Sequence, residues 1–462
     1  MSLARIQFLG AAKTVTGSQT LLEFREKKYL IDCGMYQGPK RIRELNWAPM
    51  KYASEIEAVF LTHAHVDHSG LLPKLVREGF RGPIYCSTAT KDLCEIMLLD
   101  SAHLQEEDAR YANETKHSKH RPAHPLYTVD DAEQALSLFH PLPMDQWIDI
   151  SEGLSLQLLR AGHILGSSFV QIRLEKEDRS KLLTFSGDLG NPRQNVIKGP
   201  VSLLETDELV LESTYGDRMQ SRTDPGGVLA KCINEIHKSG GVLVIPAFAV
   251  GRTQEILFLI RQLEDQGKIP EVPTYLDSPM ASKATKVYLN HKEELNFYMN
   301  GDSKIESPLC SHRFESTESS DDSMLLCMRD GPMIVVSAAG MLTGGRVLHH
   351  LKVRLPHPEN IVLFVGYQAE ETKGRLLEKG FPKIRIHHKE VEVNAKIVTM
   401  DELSAHADTE DLVQWVKNIE KKPKRIFLNH GEEPAANALK YRLKHELGIE
   451  AHVVEPNESF EI

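Results

Sequence analysis

A chain of 462 residues exceeds what one ordinary hydrophobic core fills, so two or three domains are expected. Hydrophobic residues make up 41% and charged residues 26% of it, the balance of a soluble globular protein, which excludes wholesale disorder. The formal charge of −10 argues against a generally basic nucleic-acid coat protein, while leaving room for local positive charge, including charge brought by bound metal.

The early segments ARIQFLG, QTLLEF, KYLID and EAVFLT read as short strands punctuated by turn residues. The opening MSLARIQFLGAAKTVTGS reads as a first strand and turn rather than a secretory signal. A helix is expected from KDLCEIMLLDSAHLQEEDARYANE onward, followed by the basic loop TKHSKHRPAH. His117, His120 and His124 lie in that loop rather than on one helix face, so they read as solvated cations and not as metal ligands. Strand patterning returns in LSLQLLRA, SFVQIRLE and KLLTFSGD.

The texture changes near residue 208. Strand–loop–helix units follow one another: GVLVIPAFAVGRTQEILFLIRQL, PTYLDSPMASKATKVYL, GPMIVVSAAGMLTGGRVLHHL and NIVLFVGYQAEETKGRLLEKG. Buried strands alternating with helices indicate a parallel α/β sheet with functional loops at the carboxyl ends of its strands. The polar, poorly periodic stretch 301–323 reads as a lid or a plain surface insertion. After residue 395 the early texture resumes in AKIVTMDELSAHAD and KRIFLNHGEEPAANALKYRL. The expected organisation is therefore a first domain in two pieces, 1–207 and 396–462, with an α/β domain inserted at 208–395.

The six cysteines form no CxxC pair, as suits scattered reduced thiols in a cytoplasmic protein. No apolar run approaches bilayer length; the best, VLVIPAFAV, is short and broken by Pro246.

HAHVDH at 63–68 places three histidines and an aspartate directly after an apolar run. Two residues apart at a strand end, His63 and His65 project to one side and can grip one ion. Asp67 and His68 lie just beyond and can face a second. Imidazole with carboxylate suits zinc, with manganese or iron as other ions of matching preference. Further donors stand after other strands: His163 in AGHILGSS, Asp188 in FSGDLGN and His430 in FLNHGEE. A lone histidine in such a place is usually structural, but this many complementary donors at strand ends argue for two metals.

Together HAHVDH, GH, GD and the late histidine resemble the metallo-β-lactamase fold, and the inserted segment resembles the β-CASP domain of nucleases. The similarity covers essentially the whole chain. The chain resembles in particular stand-alone bacterial and archaeal homologues of the nuclease subunit of the mRNA 3′-end cleavage factor. The resemblance implies an αββα sandwich interrupted by an α/β domain. It further implies one zinc held by His63, His65 and His163 and a second by Asp67, His68 and His430, with Asp188 bridging. Asp32 in IDCG would orient a ligand histidine from behind. Glu212 in LESTYGDR and His406 in LSAHAD match two motifs of the inserted domain.

Two divalent ions against two carboxylates leave a net positive centre suited to phosphate. His406 is the candidate general acid for the leaving oxygen, with Glu212 orienting it and holding it cationic, and Asp67 or Asp188 is the candidate proton acceptor. An inserted domain closing over the metals would leave a cleft suited to single strands. Candidate phosphate contacts are Arg252, Ser278, Ser337, Gly340 and Arg375, though Gly-rich turns of this kind also occur in α/β proteins that bind nothing. By family trend His430 favours RNA over DNA. Glu371 and Lys373 depart from the small or apolar residues expected there. KH modules and an RNase J-type extension are not expected, which leaves RNA specificity to the core or a partner.

The alternatives are a hydrolase of small thioesters or lactams, which has no use for the inserted domain, a DNA nuclease, and a non-catalytic scaffold, which would typically have lost ligands. Endonucleolytic and 5′-to-3′ exonucleolytic modes both stay open. A symmetric homodimer is expected from resemblance alone.

Overall fold

The computed structural model describes residues 2–115, 122–221, 224–297, 307–366, 368–369, 372–400 and 403–462. It divides into two compact units. The first contains residues 1–192, 199–219 and 406–462, and the second residues 193–198 and 220–405.

The first unit is a sandwich of two seven-stranded sheets. One runs in the order Ser459–Glu461, Arg5–Phe8, Thr20–Phe24, Lys27–Ile31, Ile56–Phe60, Ile84–Cys86 and Phe139–Pro141. The other runs Ala451–Val453, Arg425–Asn429, Glu208–Glu212, Arg179–Phe185, Ser168–Lys176, Leu154–Arg160 and Ile148–Ser151. Alternation decides which side chain enters which layer. Val210 packs into the core between the sheets with Phe8, Phe60 and Phe185. Its neighbours Leu209 and Leu211 face the opposite way, onto Leu412, Trp415, Val416, Leu439 and Leu443 of the helices Thr409–Asn418 and Glu433–Leu447. The helix Thr88–Glu114 packs with the strand Phe139–Pro141 and the helix Val129–Leu136, completing the αββα arrangement.

The second unit is built on a six-stranded parallel sheet, ordered Phe314–Ser316, Thr274–Leu276, Met333–Ser337, Val242–Pro246, Ile361–Phe364 and Lys396–Thr399. VLVIP is buried at every position because both faces are covered: Leu243 and Ile245 join one core, Val242 and Val244 the other.

The boundaries differ from the sequence reading. Glu208–Glu212 pairs in parallel with Arg179–Phe185 and Arg425–Asn429, which makes it a central strand of the first unit rather than the start of the second. Lys396–Thr399 is conversely an edge strand of the second unit. Residues 193–198 also belong to the second unit, because the buried Glu255 carboxylate accepts the backbone N–H of Val196 (2.8 Å) and of Asn195 (3.3 Å). The described part of 301–323 is not a lid-like loop: Phe314–Ser316 is a sheet strand, and Ser319 caps the helix Ser320–Met328. A three-residue strand is too short to show periodicity. His117, His120 and Glu371 lie outside the described residues, and His124 is exposed. All six cysteines are free thiols, five of them buried. No helix among the described residues is long and apolar enough to cross a membrane.

Candidate metal centre

Every donor of the first unit lies shortly after a strand. The strand Ile56–Phe60 stops before HAHVDH, so His63 and His65 lie on the loop entering the turn Val66–Ser69 rather than on the strand itself. They converge nonetheless, with His63 Nε2 3.1 Å from His65 Nδ1. His163 follows Leu154–Arg160, and its Nε2 also lies 3.1 Å from His65 Nδ1. Asp188 follows Arg179–Phe185 and Gly187, whose φ of 51° lets the chain turn; a Cβ there would stand 2.7 Å from Thr62 Cβ. His430 follows Arg425–Asn429 and has a left-handed backbone, φ 48°, held by hydrogen bonds from its N–H to Ala11 and to its carbonyl from Ser213. Such strained conformations cluster at functional positions.

The result is two groups of ligand atoms. His63, His65, His163 and Asp188 form one; Asp67, His68 and His430 form the other. Asp188 reaches both: Oδ2 lies 3.4 Å from His163 Nε2 and 3.6 Å from His63 Nε2, and Oδ1 lies 3.2 Å from His68 Nε2 and 3.4 Å from His430 Nδ1. His68 and His430 bring their Nε2 atoms within 3.2 Å, and Asp67 Oδ2 is 3.6 Å from His430 Nε2. The sequence-derived set of seven is thus assembled in space in the grouping that the resemblance implied. Asp32, also left-handed at φ 60°, places Oδ2 2.7 Å from His68 Nδ1, so the opposite ring nitrogen faces the centre.

The electrostatics suit cations. Burial holds the His63 and His65 imidazoles below the usual histidine range, reinforced at His63 by the neighbouring His68, and neutral rings are what metals need. Burial opposes charge on Asp188, yet His430, His68 and His406 hold its carboxyl well below the ordinary value. Burial opposes charge on Asp67 too, but His430 and His68 together bring it down to about 2. His68 moves the other way: against the cost of burial, Asp188 and Asp32 push it well up, so a metal must displace its proton. Asp188 Oδ1 is buried with no hydrogen bond of good geometry despite imidazole nitrogens close on two sides. A buried carboxylate oxygen among converging imidazole nitrogens suits a cation-binding set. The residues therefore fit a metal cofactor.

Beside this set stands an imidazole on the same unit. His406 Nδ1 is 3.2 Å from Glu212 Oε1, and its Nε2 is 3.9 Å from Asp188 Oδ2. Glu212 is buried and accepts the N–H groups of Leu189 (2.6 Å) and Thr214 (3.3 Å). Despite burial, Glu212 and then Asp188 push His406 up to about 10, a rise that a cation on Asp188 would reduce. The side chains of His406 and Asp67 keep 21% and 20% exposure, so solvent reaches the centre beside them.

Sequence reasoning missed Thr62, whose Oγ1 lies within 3.0 Å of both Asp32 oxygens and of His63 Nδ1. It also missed Thr214, whose hydroxyl donates to the His430 carbonyl. Their only signal was adjacency to the motifs.

The five phosphate candidates all lie in the second unit, at the carboxyl end of a parallel strand (Ser337) or on the loops and helix starts that follow such strands. They are not free donors of one kind. Ser278 caps the helix Pro279–Asn290 through Ala281 N–H, and Ser337 Oγ donates to the Asp277 carbonyl at 2.8 Å. The Gly340 carbonyl accepts from Gln368, Arg375 lies 3.2 Å from Glu378, and Arg252 opens the helix Arg252–Asp265.

Comparison with known proteins agrees along most of the chain. Residues 21–205 match the model of the metallo-beta-lactamase superfamily domain, 253–377 that of the Beta-Casp domain, and 390–454 that of the Zn-dependent metallo-hydrolase RNA specificity domain. The chain is 37% identical to Ribonuclease TTHA0252 of Thermus thermophilus over 94% of its own length and 95% of that protein. It is 32% identical to the transcription termination factor FttA of Methanosarcina mazei over 97% of its own length and 70% of the factor. A crystal structure of a protein of unknown function from Enterococcus faecalis V583 shares the fold, at TM-score 0.55 and 14% identity, over 99% of this chain and 100% of that one. On these grounds the chain belongs to the β-CASP ribonuclease group of the metallo-β-lactamase superfamily.

Proposed function

We propose that the chain is a zinc-dependent ribonuclease that hydrolyses phosphodiester bonds of single-stranded RNA with two metal ions. It acts by internal cleavage, by 5′-to-3′ trimming or by both, in RNA processing or decay in the cytoplasm. The observation that carries this reading is the seven-residue donor set in two groups that share Asp188, next to an imidazole oriented by Glu212. RNA is favoured by the name of the Thermus relative and by the RNA specificity model, whose matched span contains His406 and His430.

In this reading His63, His65 and His163 hold one zinc, and Asp67, His68 and His430 the other; the same donors also accept manganese. Bound there, the ions supply charge neutralisation for a phosphodiester and a nucleophile drawn from water. Asp32 fixes the ring of His68. Glu212 keeps His406 Nδ1 protonated, so that Nε2–H points toward the reacting phosphate and gives its proton to the departing oxygen. Asp67 or Asp188 takes the proton from the attacking water. Arg252, Ser278, Ser337, Gly340 and Arg375 are proposed contacts to RNA phosphates on the inserted domain, whose bounds we draw at the structural division. The proposed partners are single-stranded RNA and, in a symmetric homodimer, a second copy of the chain.

The test uses 5′-labelled single-stranded RNA and DNA of one sequence. Loss of the RNA with the DNA spared supports the proposal, and a ladder against discrete fragments separates trimming from internal cutting. Cleavage of neither strand by zinc-loaded protein would overturn it and turn attention to small thioesters. Preferential cleavage of the DNA would overturn the choice of RNA.

A further inference from the structure

The second unit carries a cationic cluster that none of the motifs above includes. The hairpin Lys383–Ile386 and Lys389–Glu392 is closed by His387 and His388, both left-handed, at φ 46° and 64°. A two-residue turn of this hand is usually built from Asn and Gly. Two histidines hold it at a conformational cost and project imidazoles instead. The exposed His387 ring lies 4.7 Å from that of His349, also exposed, at an interplanar angle of 42°. His349 sits on the helix Val347–Arg354, which carries Lys352 one turn further on. The helix Lys373–Glu378 packs against the hairpin strand Lys383–Ile386 and presents Lys373 at its first position. After burial, the groups that act most on His387 are His349, Lys352, Lys373 and His388, and all of them disfavour its charge. None of these five side chains forms an ion pair within the described residues. Three elements thus bring two lysines and three imidazoles together, none of them ion-paired among the described residues.

We propose that His349, Lys352, Lys373, His387 and His388 form a binding patch for single-stranded RNA, the lysines holding phosphates and the imidazole pair stacking on an unpaired base. Lysines alone would suit any polyanion, an acidic peptide included. Two exposed aromatic rings in contact add a surface that a flat base covers and a carboxylate does not. The choice of RNA rests on the function proposed above. The patch explains why Lys373 stands where a small or apolar residue is expected.

The experiment measures binding of a fluorescent 20-nucleotide RNA to the full chain by anisotropy, in an Asp188→Ala background that prevents cleavage. Replacing both lysines, Lys352→Gln with Lys373→Gln, is expected to raise Kd about tenfold and flatten the salt dependence by about 1.4 in logarithmic slope, at ~0.7 for each phosphate no longer neutralised. His387→Gly with His388→Gly suits the left-handed turn and keeps the hairpin folded, so a loss of affinity of about five- to tenfold with the salt slope unchanged isolates stacking. Affinity and slope within twofold of the parent in both variants would overturn the patch, as would tighter binding of polyglutamate than of RNA. The two claims fail differently. Cleavage of RNA by the chain with Asp188 intact, with binding indifferent to the patch, sinks this inference alone. No RNA binding by the parent sinks both.

Discussion

Asp188 and Asp277 are both buried carboxylates facing imidazole, one in each unit, and their surroundings differ in one respect. Asp277 accepts from Thr317, from Ser323 at 2.6 Å and from Arg346 at 3.0 Å, and lies 2.7 Å from His350 Nε2; His350 in turn places Nδ1 3.5 Å from Cys327. Donors surround it, and it ties the helices Ser320–Met328 and Val347–Arg354 to the end of the strand Thr274–Leu276. Asp188 has imidazole nitrogens at 3.2 to 3.6 Å on both oxygens and one oxygen without a well-formed hydrogen bond. A carboxylate whose needs are met by its own protein is a structural hub. One whose neighbours are themselves potential ligands suits a cation. Burial and a lowered pKa, common to both, do not distinguish them; saturation of the lone pairs does.

Substitutions should separate the two classes. The largest effect is expected at His406, proposed to donate a proton without holding metal. His406→Ala should keep the metal content and lose about 10²- to 10⁴-fold in turnover, read by single-turnover cleavage of labelled RNA. Unchanged cleavage removes it from the mechanism. Next comes Asp277→Ala, which strands the buried His350 and removes one partner of the partly exposed Arg346, and should cost about 3–5 kcal/mol in denaturant unfolding of the second unit, without lowering zinc content. Because folding lowers the pKa of Asp277, the wild-type contribution is complete above the unfolded value of about 3.9 and vanishes as pH falls through the folded one. A melt of Asp277→Asn against pH should lack that acid-side loss, and an identical acid limb would place the stability elsewhere. Asp32→Ala is smaller: about 10- to 100-fold in affinity for the metal whose ligand it orients, by competition with a chelator. The smallest is Ser278→Ala, expected to cost ~1 kcal/mol as a lost helix cap. A weaker RNA complex with no change in melting would instead make Ser278 a phosphate ligand.

The same contrast explains what the sequence made legible. HAHVDH announces itself because polar donors are crowded where an apolar strand ends, and His163, Asp188 and His430 repeat that position. Glu212 and His406 were reached only through resemblance, since a glutamate closing a strand carries no local mark. Asp277 and His350 went unnoticed because their partnership spans 73 residues and each looks ordinary alone. The strand Glu208–Glu212 was assigned to the wrong unit for a similar reason. Its buried apolar pattern suits a central strand of either sheet, and its pairing with Arg179–Phe185 and with Arg425–Asn429, far along the chain, decides.

The most direct test of the account is the zinc content of purified wild type and Asp188→Ala, measured beside their RNA cleavage. The account predicts about two zincs per wild-type chain, fewer in the variant, and RNA cleavage by the wild type only. A variant that keeps both ions and cuts RNA at the wild-type rate would contradict the claim that Asp188 joins two metals into one catalytic centre.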